Sequence, residues 1–418
     1  MIIILLFIYN CLILIFLLPI LLAIILSGKK NRSEFFYCFF ERLACWKIPN
    51  LNKNKKTIWI HCASLGEARA VEPMIEHLKN YNIIVSVITK SAREYVSKIK
   101  GISYFALAPV DFYPFISSTL KKVKPDVLVL IETEFWPSMI YCAKKIETKI
   151  ITVNGRISKS AFFYYKLTKL FWNPFLNLID YISVRNKNDY DRFVSLTNNK
   201  EKVETTGNIK YDRDFTKETM SKENFFFAET DLIFTAGSTR EGEEEILISG
   251  YKELKKKFKN LKLIIAPRHI SRVAEISNSL QKNGLSFCPF SVPEKTGKDV
   301  ILVDVFGKLQ SIYSISDIVF IGGSLVNKGG QNPIEAAAYS KPIIFGQYMY
   351  NFENEAASLK NNGAFEVSNE KELIEISDKL LQESDFRVQT GKKALKIVKN
   401  QKGAIEKNIK IIEEHINA

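Results

Sequence analysis

Acidic side chains follow two of the predicted apolar strands. Glu67 lies shortly after the run 57–61, and Glu132 and Glu134 come directly after 126–131. A carboxylate at the end of a buried strand can act as a general base that takes a proton from a substrate hydroxyl. Acidic residues are also favoured in the first turn of a helix, where they interact with the helix dipole. Both interpretations fit these three glutamates.

Two segments in the second half of the chain combine small residues with basic ones after predicted strands. Segment 236–242 offers backbone amides and hydroxyl groups, and segment 266–269 contains Arg268, a natural partner of phosphate. Because both follow strands of the same half, they indicate one anion-binding region.

Segment 322–335 places glycines beside a predicted helix start. A strand ends in two glycines, and a glycine-rich loop leads to Asn332, Pro333 and Glu335, which fit the N-cap, N1 and N3 positions. One interpretation is a helix cap and nothing more. The other is a phosphate cradle in which Glu335 accepts ribose hydroxyls. The loop is not a Walker A motif, because no Gly-Lys-Ser/Thr follows.

Lys210 lies in a polar, turn-rich stretch, 200–224, where we place the hinge between the two halves. Its ammonium group would stabilise a phosphate or a developing negative charge, although a single lysine is more often a solvated surface charge. The Asp-x-Asp sequences 189–191 and 212–214 match a metal-binding pattern of sugar transferases, but they stand in polar surroundings. We interpret them as loop or helix-start acids and expect no bound metal.

Short β-branched runs alternate with longer amphipathic stretches, which is typical of parallel sheets covered by helices. In the first half the predicted strands are 57–61, 83–88, 126–131, 149–153 and 181–184. In the second half they are 231–236, 261–266, 300–303, 317–322 and 342–345. We therefore expect two doubly wound α/β domains facing a cleft, with ligands beyond the carboxyl ends of the strands.

The composition limits the class of protein and its partners. Of 418 residues, 46% are hydrophobic and 25% charged, which excludes a disordered or fibrous protein. The net charge of +14 favours an anionic partner such as a membrane surface or a phosphorylated substrate. Nucleic-acid binding is not expected, because the lysines are dispersed and no recognised motif is present. Six cysteines without a Cys-x-x-Cys pair indicate free thiols in a reducing compartment.

Residues 2–26 contain no charged side chain and are long enough for a helix that crosses a bilayer. A cleaved signal peptide would have a charged start and a shorter apolar stretch, so we expect an uncleaved transmembrane anchor. Lys29, Lys30 and Arg32 then place the rest of the chain on the cytoplasmic side. The aromatic stretch 35–46 fits either an amphipathic helix on the bilayer surface or a helix packed on the body of the protein.

The motifs, taken in order, make the chain resemble a known enzyme family. They extend over nearly the whole chain: 64–67 (SLGE), 132–137 (ETEFWP), 154–158 (NGRIS), 207–212 (GNIKYD), 237–245 (GSTREGEEE), 267–269 (PRH), 322–325 (GGSL) and 329–335 (GGQNPIE). In this order and spacing they are similar to those of the 3-deoxy-D-manno-octulosonic acid (Kdo) transferases, glycosyltransferase family 30, of lipopolysaccharide biosynthesis.

The resemblance implies an α/β fold of the GT-B type, two Rossmann-like domains with the active site between them. With the apolar N-terminus, the expected organisation is a transmembrane helix (1–28), an acceptor-binding domain (29–215) and a CMP-sugar-binding domain with C-terminal helices (216–418). The implied reaction is an inverting transfer of Kdo from CMP-Kdo to the phosphorylated lipid A precursor, lipid IVA, at the cytoplasmic side of the inner membrane. No metal or other cofactor is expected.

The resemblance also implies roles for particular residues. Glu67 takes the role of the catalytic base, and Glu132 and Lys210 stabilise the transition state. The residues expected to contact CMP are Pro267, Arg268, Gly307, Lys308, Leu309, Asn332, Pro333, Ile334 and Glu335.

Three residues depart from the family pattern. Lys308 stands where the family usually has glutamate, so contacts with CMP at this position are expected from the backbone. Arg240 replaces a common histidine and keeps the positive charge, and Gly155 replaces a common alanine. The alternatives are another GT-B enzyme that uses a nucleotide sugar, including an epimerase, and a membrane-anchored binding or scaffold protein without catalysis.

Overall fold

The strands are built from continuous apolar runs, because nearly all of their side chains are buried. The computed structural model describes residues 1–26, 28, 36–292 and 297–417. The chain divides into two units, Met1–Arg213 with Gln401–Ala418 and Asp214–Asn400. Within the described residues, each unit contains a parallel sheet of seven strands. Helices cover both faces of such a sheet, which explains why the strands do not alternate apolar and polar residues.

The sheet of the first unit winds outward from its first strand in both directions. Its strands are β1 (Thr57–Cys62), β2 (Asn82–Val87), β3 (Tyr104–Leu107), β4 (Val127–Ile131), β5 (Lys149–Gly155), β6 (Tyr181–Val184) and β7 (Val203–Thr205). Their order is β3-β2-β1-β4-β5-β6-β7. Ile58 of β1 lies opposite Ile83 on one side and Val127 on the other. This is the winding of a Rossmann-like domain.

Helices of the first unit pack on both faces of this sheet. Up to residue 197, the helices of the first unit are α1 (Ile2–Leu26), α2 (Phe39–Arg42), α3 (Leu65–His77), α4 (Lys90–Val96), α5 (Tyr113–Val123), α6 (Pro137–Lys145), α7 (Lys159–Leu167), α8 (Lys169–Leu176) and α9 (Lys187–Thr197). One core contains Met74 of α3 and Val96 of α4. The other contains Ile116 of α5 and Phe193 of α9.

The second unit repeats this plan. Its strands are β8 (Leu232–Thr239), β9 (Leu261–Pro267), β10 (Phe287–Pro289), β11 (Val300–Leu302), β12 (Ile318–Ile321), β13 (Ile343–Gly346) and β14 (Ala364–Val367), in the order β10-β11-β9-β8-β12-β13-β14. Its helices are α10 (Glu243–Lys257), α11 (Val273–Lys282), α12 (Leu309–Ile312), α13 (Ile334–Ala338), α14 (Glu353–Leu359), α15 (Glu370–Gln382) and α16 (Ser384–Asn400).

The C-terminal helix α17 (Ala404–Asn417) belongs to the first unit. Its Ile412 lies in the same core as Val129 of β4. The carboxylate of Asp212 accepts hydrogen bonds from the backbone amides of Gly403 and Ile405, both at 2.6 Å, at the start of the helix. The structure therefore differs from the expected second domain of 216–418, because the apolar face of α17 completes the first core.

The apolar N-terminus forms the helix α1, and polar side chains bond it to the first unit. The hydroxyl of Tyr9 donates to Asp111 at 3.0 Å, and Asn10 accepts from the backbone amide of Tyr113 at 2.7 Å. Burial raises the pKa of Asp111 to about 7, against the hydrogen bonds that it accepts. In the described part of the chain, no helix is found that could span a membrane, so the predicted transmembrane helix is not found there.

The aromatic stretch that follows packs on the body of the first unit. Trp46 is buried, its ring lies edge-on to Trp59 with centroids 5.2 Å apart, and its indole donates to the carbonyl of Leu107 at 3.1 Å. Glu41 pairs with Arg93 at 2.8 Å. These contacts favour the second interpretation of segment 35–46, although residue 35 lies outside the described residues.

Candidate active site

Three carboxylates and a lysine lie at the carboxyl end of the first sheet. β1 leads into α3, whose first turn holds Glu67, and β4 leads into the segment that carries Glu132 and Glu134. Lys210 comes from a 3-10 helix, Ile209–Tyr211, that contacts α3. The structure thus brings together the three residues for which catalytic roles were predicted, Glu67, Glu132 and Lys210.

Glu67 is held in place by the end of the strand before it. Ser64 is the N-cap of α3, and its hydroxyl oxygen accepts from the backbone amide of Glu67 at 3.3 Å. The carboxylate in turn accepts from the Ser64 hydroxyl at 2.7 Å and from the Ala63 amide at 2.6 Å. Glu67 is therefore a first-turn acid, as one interpretation of the sequence expected. The same bonds orient it for chemistry, so the two interpretations do not exclude each other.

Burial raises the pKa of Glu67 to about 7, and the negative charges of Glu132 and Glu134 act in the same direction. The hydrogen bonds from Ser64 and Ala63 oppose this shift because they stabilise the carboxylate. Near neutral pH, both the carboxylate and the acid form are populated. This condition suits a general base, which must be ionised and still able to accept a proton.

Glu132 is paired with Lys210, whose Nζ lies 2.6 Å from Oε1. Burial acts to raise the pKa of Glu132, but Lys210, Arg185 and Arg156 outweigh it and hold the pKa below its usual value. Glu132 therefore stays ionised in the range where Glu67 titrates. Its backbone has a φ of 59°, a left-handed conformation that costs about 1–3 kcal/mol for a non-glycine residue and is concentrated at functional sites.

Asn154, near the end of β5, is hydrogen-bonded both to Glu132 and to the backbone of the residue before Lys210. Its Nδ2 donates to Glu132 Oε1 at 3.4 Å, and its Oδ1 accepts from the backbone amide of Ile209 at 3.2 Å. The residue is fully buried and also has a left-handed backbone, with a φ of 61°. The sequence predicted no role for it, although an Asn-Gly pair directly after an apolar strand was a signal.

Basic side chains lie at the carboxyl end of the second sheet. Pro267 is the buried last residue of β9, and Arg268 follows it with an exposed side chain. Nη1 of Arg240 lies 2.7 Å from Nε2 of His269, and because a guanidinium only donates, His269 accepts with this nitrogen. Burial, together with the charges of Arg240, Arg268 and Arg272, lowers the pKa of His269. The region predicted to bind an anion is therefore cationic.

The loop amides predicted to be open to phosphate are instead bonded to the buried carboxylate of Glu243, in the first turn of α10. One oxygen accepts from the amides of Ser324 and Leu325, both at 2.9 Å. The other accepts from Gly323 at 2.6 Å and Arg240 at 2.8 Å. Burial raises the pKa of Glu243, and the four amides act against that shift. These four amides are therefore not open to a phosphate, because the carboxylate of Glu243 accepts from them.

The predicted CMP contacts at 307–309 comprise two exposed loop residues and the half-buried first residue of a helix. Gly307 has a φ of 83°, which glycine adopts without strain, and nothing lies within 4 Å of the position a Cβ would take. Lys308 is exposed, and Leu309 begins α12. Binding of CMP by these three residues stays a prediction.

The predicted contacts at 332–335 surround the start of α13. This helix begins at Ile334 with Pro333 as its N-cap, one residue later than expected. Asn332 Oδ1 accepts from the amide of Ile334 at 3.1 Å, and its Nδ2 lies 3.4 Å from Glu335 Oε1. The helix has only five residues. Binding of CMP by these four residues stays a prediction.

Known proteins similar to this chain identify its family. The family model described as 3-Deoxy-D-manno-octulosonic-acid transferase (kdotransferase) matches residues 38–213. The 3-deoxy-D-manno-octulosonic acid transferase of Haemophilus influenzae is 30% identical over 86% of this chain and 87% of its own length. That of Aquifex aeolicus is 32% identical over 83% of this chain and 92% of its own. The chain belongs to the Kdo transferase family. This confirms the resemblance and the prediction of a glycosyltransferase enzyme.

Two further likenesses concern length and fold. A bifunctional glycosyltransferase/methyltransferase of Fusobacterium nucleatum is 37% identical to this chain. The matched region covers 87% of this chain but only 56% of the length of the Fusobacterium protein. A glycosyltransferase structure from Rickettsia africae has a TM-score of 0.60 at 16% identity, over 87% of this chain and 99% of its own. The UDP-GlcNAc 2-epimerase of Neisseria meningitidis has the same score and identity, over 86% and 99%. At this identity the likeness shows the fold alone, and it supports the expected GT-B type.

Replacing Glu243 by glutamine should loosen the loop that follows β12. The amide NH₂ of Glu243→Gln would face backbone N–H donors, leaving buried donors without an acceptor at about 1–3 kcal/mol. We expect the amides of Gly323, Ser324 and Leu325 to lose protection by a similar free energy, measured by hydrogen–deuterium exchange. Glu241→Gln is the matched control, because it removes the same charge from an exposed position two residues away. Equal protection in both variants would contradict the assignment.

Proposed function

We propose that this Kdo transferase homologue moves a Kdo residue from CMP-Kdo to lipid IVA, the phosphorylated lipid A precursor, in lipopolysaccharide biosynthesis. Membership of the family supports the transferred sugar. The observation that carries the proposal is the buried Glu67, whose pKa is about 7, beside the ion pair of Glu132 and Lys210. Together these groups supply a base and a fixed charge, which transfer to a hydroxyl requires.

In the proposed reaction, a hydroxyl of the acceptor attacks the anomeric carbon of Kdo with inversion. The hydroxyl oxygen forms the new glycosidic bond, and its proton passes to the carboxylate of Glu67. The bond between the anomeric carbon and the phosphate oxygen breaks, and its electron pair leaves with CMP. Lys210, oriented by Glu132, stabilises the negative charge that develops in the transition state.

The donor is proposed to bind to the second unit. Its phosphate would be neutralised by Arg268, with Arg240 adding charge beside it, because guanidinium groups pair with phosphate through two parallel hydrogen bonds. The loops 307–309 and 332–335 are proposed to contact the cytidine and the ribose.

We also propose that the protein works at the cytoplasmic face of the inner membrane, where its acceptor lies. Large apolar side chains are exposed on α1, such as Phe7, and on the neighbouring helices, where Leu167 is 74% and Leu170 89% exposed. The helices α1 and α8 contact each other through the rings of Tyr9 and Phe171, whose centroids are 6.2 Å apart. Exposed apolar patches mark interaction sites, and basic residues near an anionic bilayer contribute about 1 kcal/mol each.

A product assay tests the reaction directly. Purified protein is incubated with CMP-Kdo, generated in situ, and lipid IVA, and the products are read by mass spectrometry. We expect the acceptor to gain the mass of one or more Kdo residues, with inhibition by CMP and none by UDP. Inhibition by UDP without transfer would point to another nucleotide-sugar enzyme of this fold.

The pH dependence of kcat/KM should report Glu67. A base must be ionised, so we expect the rate to fall about tenfold per pH unit below about 7, the pKa of Glu67. At pH 8, where the wild-type carboxylate is ionised, Glu67→Gln should lower kcat by about 10²–10⁴ and leave CMP binding unchanged.

Glu134→Gln is the control for assigning the low-pH fall of kcat/KM to Glu67. The negative charge of Glu134 helps to raise the pKa of Glu67, so its removal should move this fall to lower pH. If the fall of kcat/KM at low pH stays at the same pH in Glu134→Gln, another group than Glu67 causes it. The same conclusion follows if Glu67→Gln keeps the full rate.

Binding to the membrane is tested by flotation with vesicles that contain anionic phospholipid. The double variant Leu167→Ser/Leu170→Ser should float less than the wild type, because it removes exposed apolar area. Val388→Ser is the matched control, since Val388 is also exposed, at 47%, but lies in the second unit. Equal flotation of all three proteins would contradict the role of α7 and α8.

A further inference from the structure

A fully buried histidine lies in β1, six residues before Glu67, and no role in the proposed reaction has been given to it. Nδ1 of His61 is 2.8 Å from the hydroxyl oxygen of Ser86, on the neighbouring strand β2. The same oxygen is 2.8 Å from Nε1 of Trp59. Trp59, His61 and Ser86 are all fully buried.

These bonds favour one of the two neutral tautomers of His61. An indole N–H only donates, so the Ser86 oxygen accepts from Trp59. A hydroxyl oxygen can accept twice, so this bond alone fits either tautomer of His61. With Nδ1 as the acceptor, the Ser86 proton has a partner among the described residues, and the proton of the neutral ring lies on Nε2, on the side of the Glu134 carboxylate.

This Nε2–H faces the acidic end of the site. Nε2 is 3.8 Å from Glu134 Oε2, too far for a hydrogen bond but close enough for a charge–dipole contact at a buried position. No hydrogen-bond partner is found for this nitrogen in the described part of the chain, and an unpaired buried donor is costly. A second donor, Nε1 of Trp136, reaches the same oxygen at 2.9 Å, and the ring of Trp136 lies edge-on to His61, with centroids 4.5 Å apart.

We propose that His61 is a positioning residue: its Nε2–H and its ring hold Glu134 and Trp136, and thereby keep segment 132–136 in the geometry in which Glu132 meets Lys210. Trp59 and Ser86 serve this arrangement by favouring the Nε2–H tautomer. The kinetic part of this inference rests on the proposed function, whereas the tautomer does not.

Two variants of His61 separate this role from simple core packing. The amide of His61→Gln reaches the place of Nε2, so it keeps a donor towards Glu134 and loses the acceptor for Ser86. The amide of His61→Asn reaches the place of Nδ1, so it keeps the bond with Ser86 and loses the donor. We expect His61→Asn to lower kcat by about 10²-fold with little change in KM for CMP-Kdo, as for a misplaced catalytic group, and His61→Gln to retain most of the rate. Equal losses, or a greater loss in His61→Gln, would overturn the proposal.

Nuclear magnetic resonance with ¹⁵N-labelled histidine gives a readout that needs no activity. The chain has four histidines, and the signal of His61 is the one absent from His61→Gln. We expect the Nε2–H tautomer in the wild type, a change of tautomer in Ser86→Ala, and a shift of the Nε2 signal in Glu134→Gln. An Nδ1–H ring, or no response to Glu134→Gln, would overturn the inference. Failure of the product assay, with these signals as expected, would count against the proposed reaction alone.

Discussion

The rest of the site depends on one constraint, the cost of shielding three carboxylates from water at the end of the first sheet. Glu67, Glu132 and Glu134 are close enough to affect one another, and their mutual repulsion must be offset for the fold to hold them. Lys210 neutralises Glu132, and hydrogen bonds from Ser64 and Ala63 hold Glu67. The Lys210 ion pair offsets the burial of Glu132 more fully than the hydrogen bonds offset the burial of Glu67. Glu132 therefore stays ionised, whereas Glu67 titrates near neutral pH. The division of roles between two similar side chains thus follows from their surroundings.

Carboxylates also organise the loops of both units through backbone amides. Glu243 accepts four N–H groups from two loops, and Asp212 accepts two at the start of α17. Buried backbone donors require partners, and a carboxylate can satisfy several at once. The loops after β8 and β12 are therefore fixed to each other before any ligand binds. Arg240, whose own amide is one of the four, is positioned by this arrangement.

Much of the fold was predictable from the sequence, and the elements that were missed share a physical reason. All ten predicted strands are present in the structure. The four that were missed, β3, β7, β10 and β14, are the edge strands of the two sheets and have only three or four residues. The acidic residues of the site were found because they follow buried strands. The roles of Glu243 and His61 were not predicted, because their hydrogen-bond partners lie far away in sequence and no local sequence pattern indicates these contacts.

The return of α17 to the first unit has a consequence for how the protein is made. The chain passes between the units twice, so the second unit is an insertion within the first. During synthesis the whole of the second unit emerges from the ribosome before residues 401–418 are available. The unit that is begun first is therefore completed only after the second unit has been made, because the core beneath β4 includes residues of α17. A chain that stops before residue 401 would lack part of the core of the unit that carries Glu67.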